Sequence, residues 1–332
     1  MNIEENLSED LHFRPRLDIS SLSRAVQLIR QEIAKVIVGQ EEVVDLLIAS
    51  LLANGHVLLQ GVPGVAKTLA AKLLARTLSV DYGRIQFTPD LMPSDVLGVS
   101  VFNAQSGHFE FRKGPIFANL VLIDEINRAP AKTQSALFEV MEERQITLDS
   151  VTYAMEQPFL VIATQNPIEQ EGTYRLPEAQ LDRFLFLVDI HYPELDQEVE
   201  ILQREHQMVT ADKLRFVQPV ISGADLLGFQ ALVQKVIVEE HLIRYIAGVV
   251  HQTRNNPYLY LGASPRGSIA ILKSSKAYAA MNGRDFVTPE DIQKVAVHVL
   301  QHRVMVAPER EMEGVSARQI LEQIIQKVEI PR

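Results

Sequence analysis

Between residues 20 and 190 the apolar positions follow two rhythms, helical stripes and short solid runs. From Ser20 onward Leu22, Val26, Ile29, Ile33 and Val36 recur at steps of four and three, which predicts an amphipathic helix. A second helix is expected to carry Val43, Val44, Leu47, Ile48, Leu51 and Leu52 on one side. Strands are predicted at 57–59, 84–88, 119–126, 159–163 and 184–190. Most are unbroken apolar runs spaced by helical patterns such as 131–143, the signature of a parallel sheet covered on both faces. Alternation at Phe109 and Phe111 predicts a hairpin over 99–112 turning at Ser106-Gly107, and a second is expected over 145–152 around Asp149-Ser150.

Beyond Tyr192-Pro193 the strand pattern is expected to stop. Helices are predicted at 195–207, 224–237, 239–254, 265–281, 289–305 and 316–328, with caps at Ser264-Pro265, Thr288-Pro289 and Ser316. The expected organisation is a loose polar tail (1–19), an α/β domain (20–193) and an all-helical domain (194–332).

Composition narrows the class. The chain has 332 residues, 47% of them hydrophobic, enough to bury a full core. It has no cysteine, so disulfides and thiolate metal sites are ruled out. No apolar run approaches the roughly 18–20 residues that span a bilayer, and the acidic N-terminus does not read as a signal peptide, so a cytoplasmic protein without membrane insertion is expected. A net charge of −10 argues against a large nucleic-acid footprint.

The first apolar strand runs into Gly61-Val62-Pro63-Gly64-Val65-Ala66-Lys67-Thr68, followed by the helical pattern from Leu69 to Leu74. A strand, a glycine-bearing loop ending in Lys-Thr and a helix form a phosphate cradle, with backbone N–H groups and the helix N-terminus facing the anion. Lys67 is expected to reach β- and γ-phosphates and Thr68 to hold Mg2+, so ATP and Mg2+ are implied. Gly61, Pro63, Gly64, Val65, Ala66 and Leu69 complete the candidate contacts. Ala66 stands where this pattern usually has glycine, which is expected to be tolerated only at negative φ. A plain Gly/Pro turn is the competing explanation of the stretch.

Further candidates follow in order. Asp124 and Glu125 close a buried strand, where Asp124 would hold Mg2+ and Glu125 would polarise the attacking water. Asn166 ends the next strand as a neutral amide able to touch both γ-phosphate and water. Arg183, just before the last strand, could serve a neighbouring subunit's γ-phosphate, with Arg175 as a second candidate. Arg266 opens a helix and is expected to contact phosphate in cis. Val38-Gly39-Gln40 could hold adenine, or could be only a helix–helix turn. His298 and His302 have zinc-pair spacing but lack the accompanying glutamate, so exposed helix surface is expected rather than a metal site.

These stretches, together with Gly114 to Asn119 and Leu176 to Phe184, occur in an order that resembles an AAA+ ATPase and, more closely, the MoxR family. The resemblance implies a five-stranded P-loop α/β module with a helical lid, assembled as a ring of six with ATP between subunits. It places both hairpins toward the pore. It also implies a chaperone that matures or activates other complexes, often with a partner bearing a von Willebrand factor A-like domain. One departure is Tyr174-Arg175-Leu176, where the family pattern has a proline. A magnesium-chelatase-like ATPase subunit, a nucleic-acid motor and a non-enzymatic nucleotide switch are the competing functions. The hairpins are poor in Lys and Arg, against the motor, and 90–98 lacks an aromatic–apolar–glycine threading loop.

Overall fold

In this computed structural model the described residues are 17–105, 107–167, 174, 176–207 and 213–330. Five parallel strands form the central sheet: β1 (His56–Gly61), β2 (Tyr82–Gln86), β3 (Leu120–Asp124), β4 (Leu160–Gln165) and β5 (Phe184–Ile190). Their order is β5-β1-β4-β3-β2. The strands are solid apolar runs because both faces are covered. Successive residues serve opposite faces: Leu120 and Leu122 join one core cluster, Val121 and Ile123 the other. The first cluster packs β1 and β3 against the helices Ser20–Ala34, Glu41–Leu52 and Lys67–Thr77, and continues into the C-terminal helices through Ile271 and Leu300. The second is aromatic, built on Phe87, Phe138, Phe159 and Phe184 around the helix Ala131–Glu143.

The C-terminal part is helical, as the pattern predicts, with helices Gly223–Gln234, Glu240–Arg254, Pro265–Met281, Pro289–Leu300 and Ala317–Lys327. Ser264 caps its helix by accepting from the Arg266 N–H at 3.2 Å, and Thr288 and Ser316 each close a reciprocal capping box. The hairpins form from Gly98–Asn103 with His108–Lys113 and from Gln145–Leu148 with Val151–Ala154; Ser106 lies outside the described residues.

Several expectations need correction. Short strand pairs were not foreseen beyond residue 193: Ile221–Ser222 pairs with Leu78–Ser79, and Leu259–Leu261 with Met305–Val306. The helix expected over 289–305 stops at Leu300, because Arg303 turns inward to bond backbone carbonyls of Asp182, Phe184 and Leu185. His298 and His302 are not exposed surface; they are 4% and 6% accessible. His298 packs 3.7 Å from Glu42, and His302 bonds the Phe184 carbonyl at 3.0 Å, so the two rings do not share a helix face. The tail is shorter than expected: the Leu17 N–H bonds Asp285 and Ile19 is buried, while 1–16 lie outside the described residues.

Candidate functional site

The C-terminal ends of β1, β3 and β4 converge where parallel sheets gather ligands. Because β4 lies between β1 and β3, Asn166 emerges between the glycine loop and the acid pair. Together they line a cavity of about 490 Å³, shared with Arg84, Gln86 and Lys72.

The loop geometry follows from its residues. A Cβ on Gly61 would lie 2.6 Å from the Ile190 carbonyl of β5, so only glycine lets the two strands end this close. Gly64 has φ +90°, and Ala66 has φ +61° rather than the negative value expected of an alanine. The loop must present successive N–H groups inward before the helix Lys67–Thr77 begins, and that turn needs a left-handed residue whether or not it is glycine. Lys67 arches over the loop and donates to the carbonyls of Gly61 and Val62. Burial lowers its pKa, and the charges of Glu125 and Asp124 oppose that shift.

Asp124 is 3% accessible. Its Oδ1 accepts from the Thr68 hydroxyl at 2.8 Å, and its Oδ2 from Arg84 Nε, also at 2.8 Å. A buried carboxylate beside a hydroxyl offers the hard oxygen donors that Mg2+ prefers. Glu125 is left-handed at φ +57°. Its N–H donates to the Thr164 hydroxyl, and its carboxylate accepts from Gln86 Nε2 at 3.0 Å and pairs with Arg128 at 3.1 Å. Gln86, Arg84, Thr164 and Arg128 were not singled out from the sequence. Arg84 and Gln86 sit two apart on β2, hence on one face of that strand, and this was the available signal.

The Val38-Gly39-Gln40 corner is stitched to the loop: Gln40 Nε2 donates to the Val65 carbonyl at 3.1 Å. Gly39 is left-handed at φ +69°, and Gln40 Oε1 is buried with no bonding partner among the described residues. Val38 and Leu69 are half-buried nearby in sequence to these two elements.

Arg183 and Arg266 meet elsewhere. The register pairs Phe184 with His56, so Arg183 stands at the start of the strands. Five rises of about 3.3 Å along β1 put it roughly 17 Å from the glycine loop end. Arg183 Nη2 and Arg266 Nη2 bind the two oxygens of Glu142 at 2.8 and 2.9 Å. They line a separate cleft of about 270 Å³ with Arg144, Lys273 and Arg303. Arg266 therefore does not face this chain's own phosphate cradle as expected; the cap at Ser264 and the packing of its helix hold it near Arg183 at the opposite end of the strands. The Arg183 ion pair is with Glu142, on the helix Ala131–Glu143. Arg175 lies outside the described residues.

Comparison with known proteins agrees with this geometry. The family profile "ATPase family associated with various cellular activities (AAA)" matches residues 56–186, and the AAA lid domain profile matches 251–324. The chain is 46% identical to YeaC of Bacillus subtilis, covering 97% of each. It is 41% identical to Chaperone MoxR1 of Mycobacterium tuberculosis over 95% of this chain and 84% of that one. A Cytophaga hutchinsonii protein described as an ATPase has a crystal structure that superposes with TM-score 0.86 at 43% identity, covering 95% of this chain and 97% of its own. The chain belongs to the MoxR family of AAA+ ATPases and is a MoxR-type chaperone that hydrolyses ATP.

Proposed function

We propose that ATP is hydrolysed in a pocket completed by a second copy of this chain. Lys67 and the loop N–H groups bind the β- and γ-phosphates, and Gln40 Oε1 accepts from the adenine amine beside Val38 and Gly39. Thr68 and Asp124 hold Mg2+, which neutralises charge developing on the phosphates. Glu125 leaves Gln86 to polarise the attacking water, and Asn166 orients that water against the γ-phosphate. Arg183 and Arg266 serve the neighbour's nucleotide.

The observation that carries this reading is their placement: both guanidiniums stand at the end of the strands opposite their own glycine loop. A closed ring, six copies on the family pattern, satisfies every such head-to-tail contact. The client is a protein, with a von Willebrand factor A-like partner as the first candidate class. The protein acts in the cytoplasm, and the boundary between module and lid falls near residue 193. The full-length similarity to a MoxR chaperone, lid included, favours this over a chelatase subunit. Nucleic acid is disfavoured by the net charge of −10.

The test is steady-state ATPase of Arg183→Ala with nucleotide affinity measured alongside. The expected result is a loss of about 10³-fold or more in kcat with ATP affinity nearly unchanged. A retained rate would contradict the shared pocket.

A further inference from the structure

Building on the shared-pocket reading, we infer that Glu142 is the positioning residue for Arg183 and Arg266: it gathers both guanidiniums in the unassembled protomer and surrenders its place to the neighbour's γ-phosphate. The carboxylate spends one oxygen on each arginine, at 2.8 and 2.9 Å. One arginine precedes β5 and the other opens the helix Pro265–Met281, so a single side chain ties the α/β part to the helical part.

Glu142 is poorly placed for any other purpose. It lies in the last turn of the helix Ala131–Glu143, where the helix dipole disfavours a negative charge. Only the two guanidiniums offset that cost among the contacts described. The cleft has five cationic side chains, Arg144, Arg183, Arg266, Lys273 and Arg303, against two carboxylates, Glu142 and Asp182. It is an anion receptor whose present anions are the protein's own: Glu142 on Arg183 and Arg266, and Asp182, which pairs with Arg303 at 2.6 Å and lies 3.8 Å from Arg266.

Arg183 is held ready around Glu142. Phe138, one turn before Glu142 on the same helix face, puts its ring 6.0 Å beneath the guanidinium, and Nη1 donates to the Ala179 carbonyl at 2.7 Å. Its Nε is buried with no partner among the described residues. A phosphate carries more charge and more acceptor oxygens than a carboxylate. It can therefore take both guanidiniums from Glu142, and doing so cuts the tie between the helix Ala131–Glu143 and the helix carrying Arg266.

The test compares Glu142→Gln and Glu142→Ala with the parent chain, all carrying Glu125→Gln to block turnover. Sedimentation velocity in ATP and Mg2+ gives the protomer concentration at half-maximal assembly. Removing the resident anion is expected to lower that midpoint about three- to tenfold, the scale of one net hydrogen bond. In a chain also bearing Arg183→Ala and Arg266→Ala, the Glu142 substitutions should then have no effect. A midpoint unchanged or raised in both folded variants overturns the role of Glu142, as does a shift that persists without the arginines. If Arg183→Ala alone leaves both midpoint and ATPase rate untouched, the shared-pocket reading itself has failed.

Discussion

At position 66 an alanine holds a left-handed backbone, φ +61°, directly before the lysine of the phosphate loop. A Cβ in that region costs about 1–2 kcal/mol, and glycine would remove the cost while adding some unfolded-state entropy. Ala66→Gly is accordingly expected to stabilise the folded chain by about 0.5–1 kcal/mol, read as a rise in the urea midpoint at unchanged slope. A lower midpoint would show that the loop derives no strain from Ala66. Glu125 is left-handed as well, and there the strain accompanies a side chain aimed at Gln86 and Arg128 rather than a glycine-like turn.

His56 shows how elements are locked together. It begins β1, accepts the Val161 N–H of β4 through Nδ1 at 2.9 Å, and so donates from Nε2 to the Met141 carbonyl at 3.1 Å. Burial pushes its pKa down to about 4, and the backbone bond to Met141 opposes this only in part. The unfolded chain therefore binds a proton at higher pH than the folded one does. The stability is present above the ordinary value near 6.5 and is lost as pH falls toward 4. His56 alone should remove about 2 kcal/mol between pH 7 and pH 5. His302, also pushed down by burial, acts in the same window. Urea titrations at the two pH values test this, and equal midpoints would contradict it.

The same elements show what could be read from residues alone. Five buried strands were legible because both faces of a parallel sheet demand apolar residues, and the loop, acid pair and Asn166 were legible because each closes such a run. The two- and three-residue strands around Leu259 and Met305 carry too few positions for any period to emerge. His302 read as exposed because helical spacing was assumed through residue 305, whereas Arg303 pulls the chain inward; His298 lies within the helix, whose last turn is buried on all sides, with Glu42 3.7 Å away. The site of Arg266 depends on how two distant helices dock, which no local pattern encodes.

For the whole molecule, the sheet separates two half-sites. The nucleotide cavity lies at the strands' C-terminal ends, and the arginine cleft lies at their beginnings. No motion within one chain that preserves the β1–β5 register can join them. On the shared-pocket proposal joining them takes another copy, and activity should then rise with protomer concentration until assembly is complete.

Mixing two inactive variants tests this most directly. Glu125→Gln spoils the pocket but keeps its arginines, and Arg183→Ala keeps the pocket but lacks its arginine. Each alone should be nearly inactive, while an equimolar mixture should recover about a quarter of the parent ATPase rate, because one random head-to-tail interface in four pairs an intact pocket with an intact arginine. A mixture no more active than the separate variants would contradict the account.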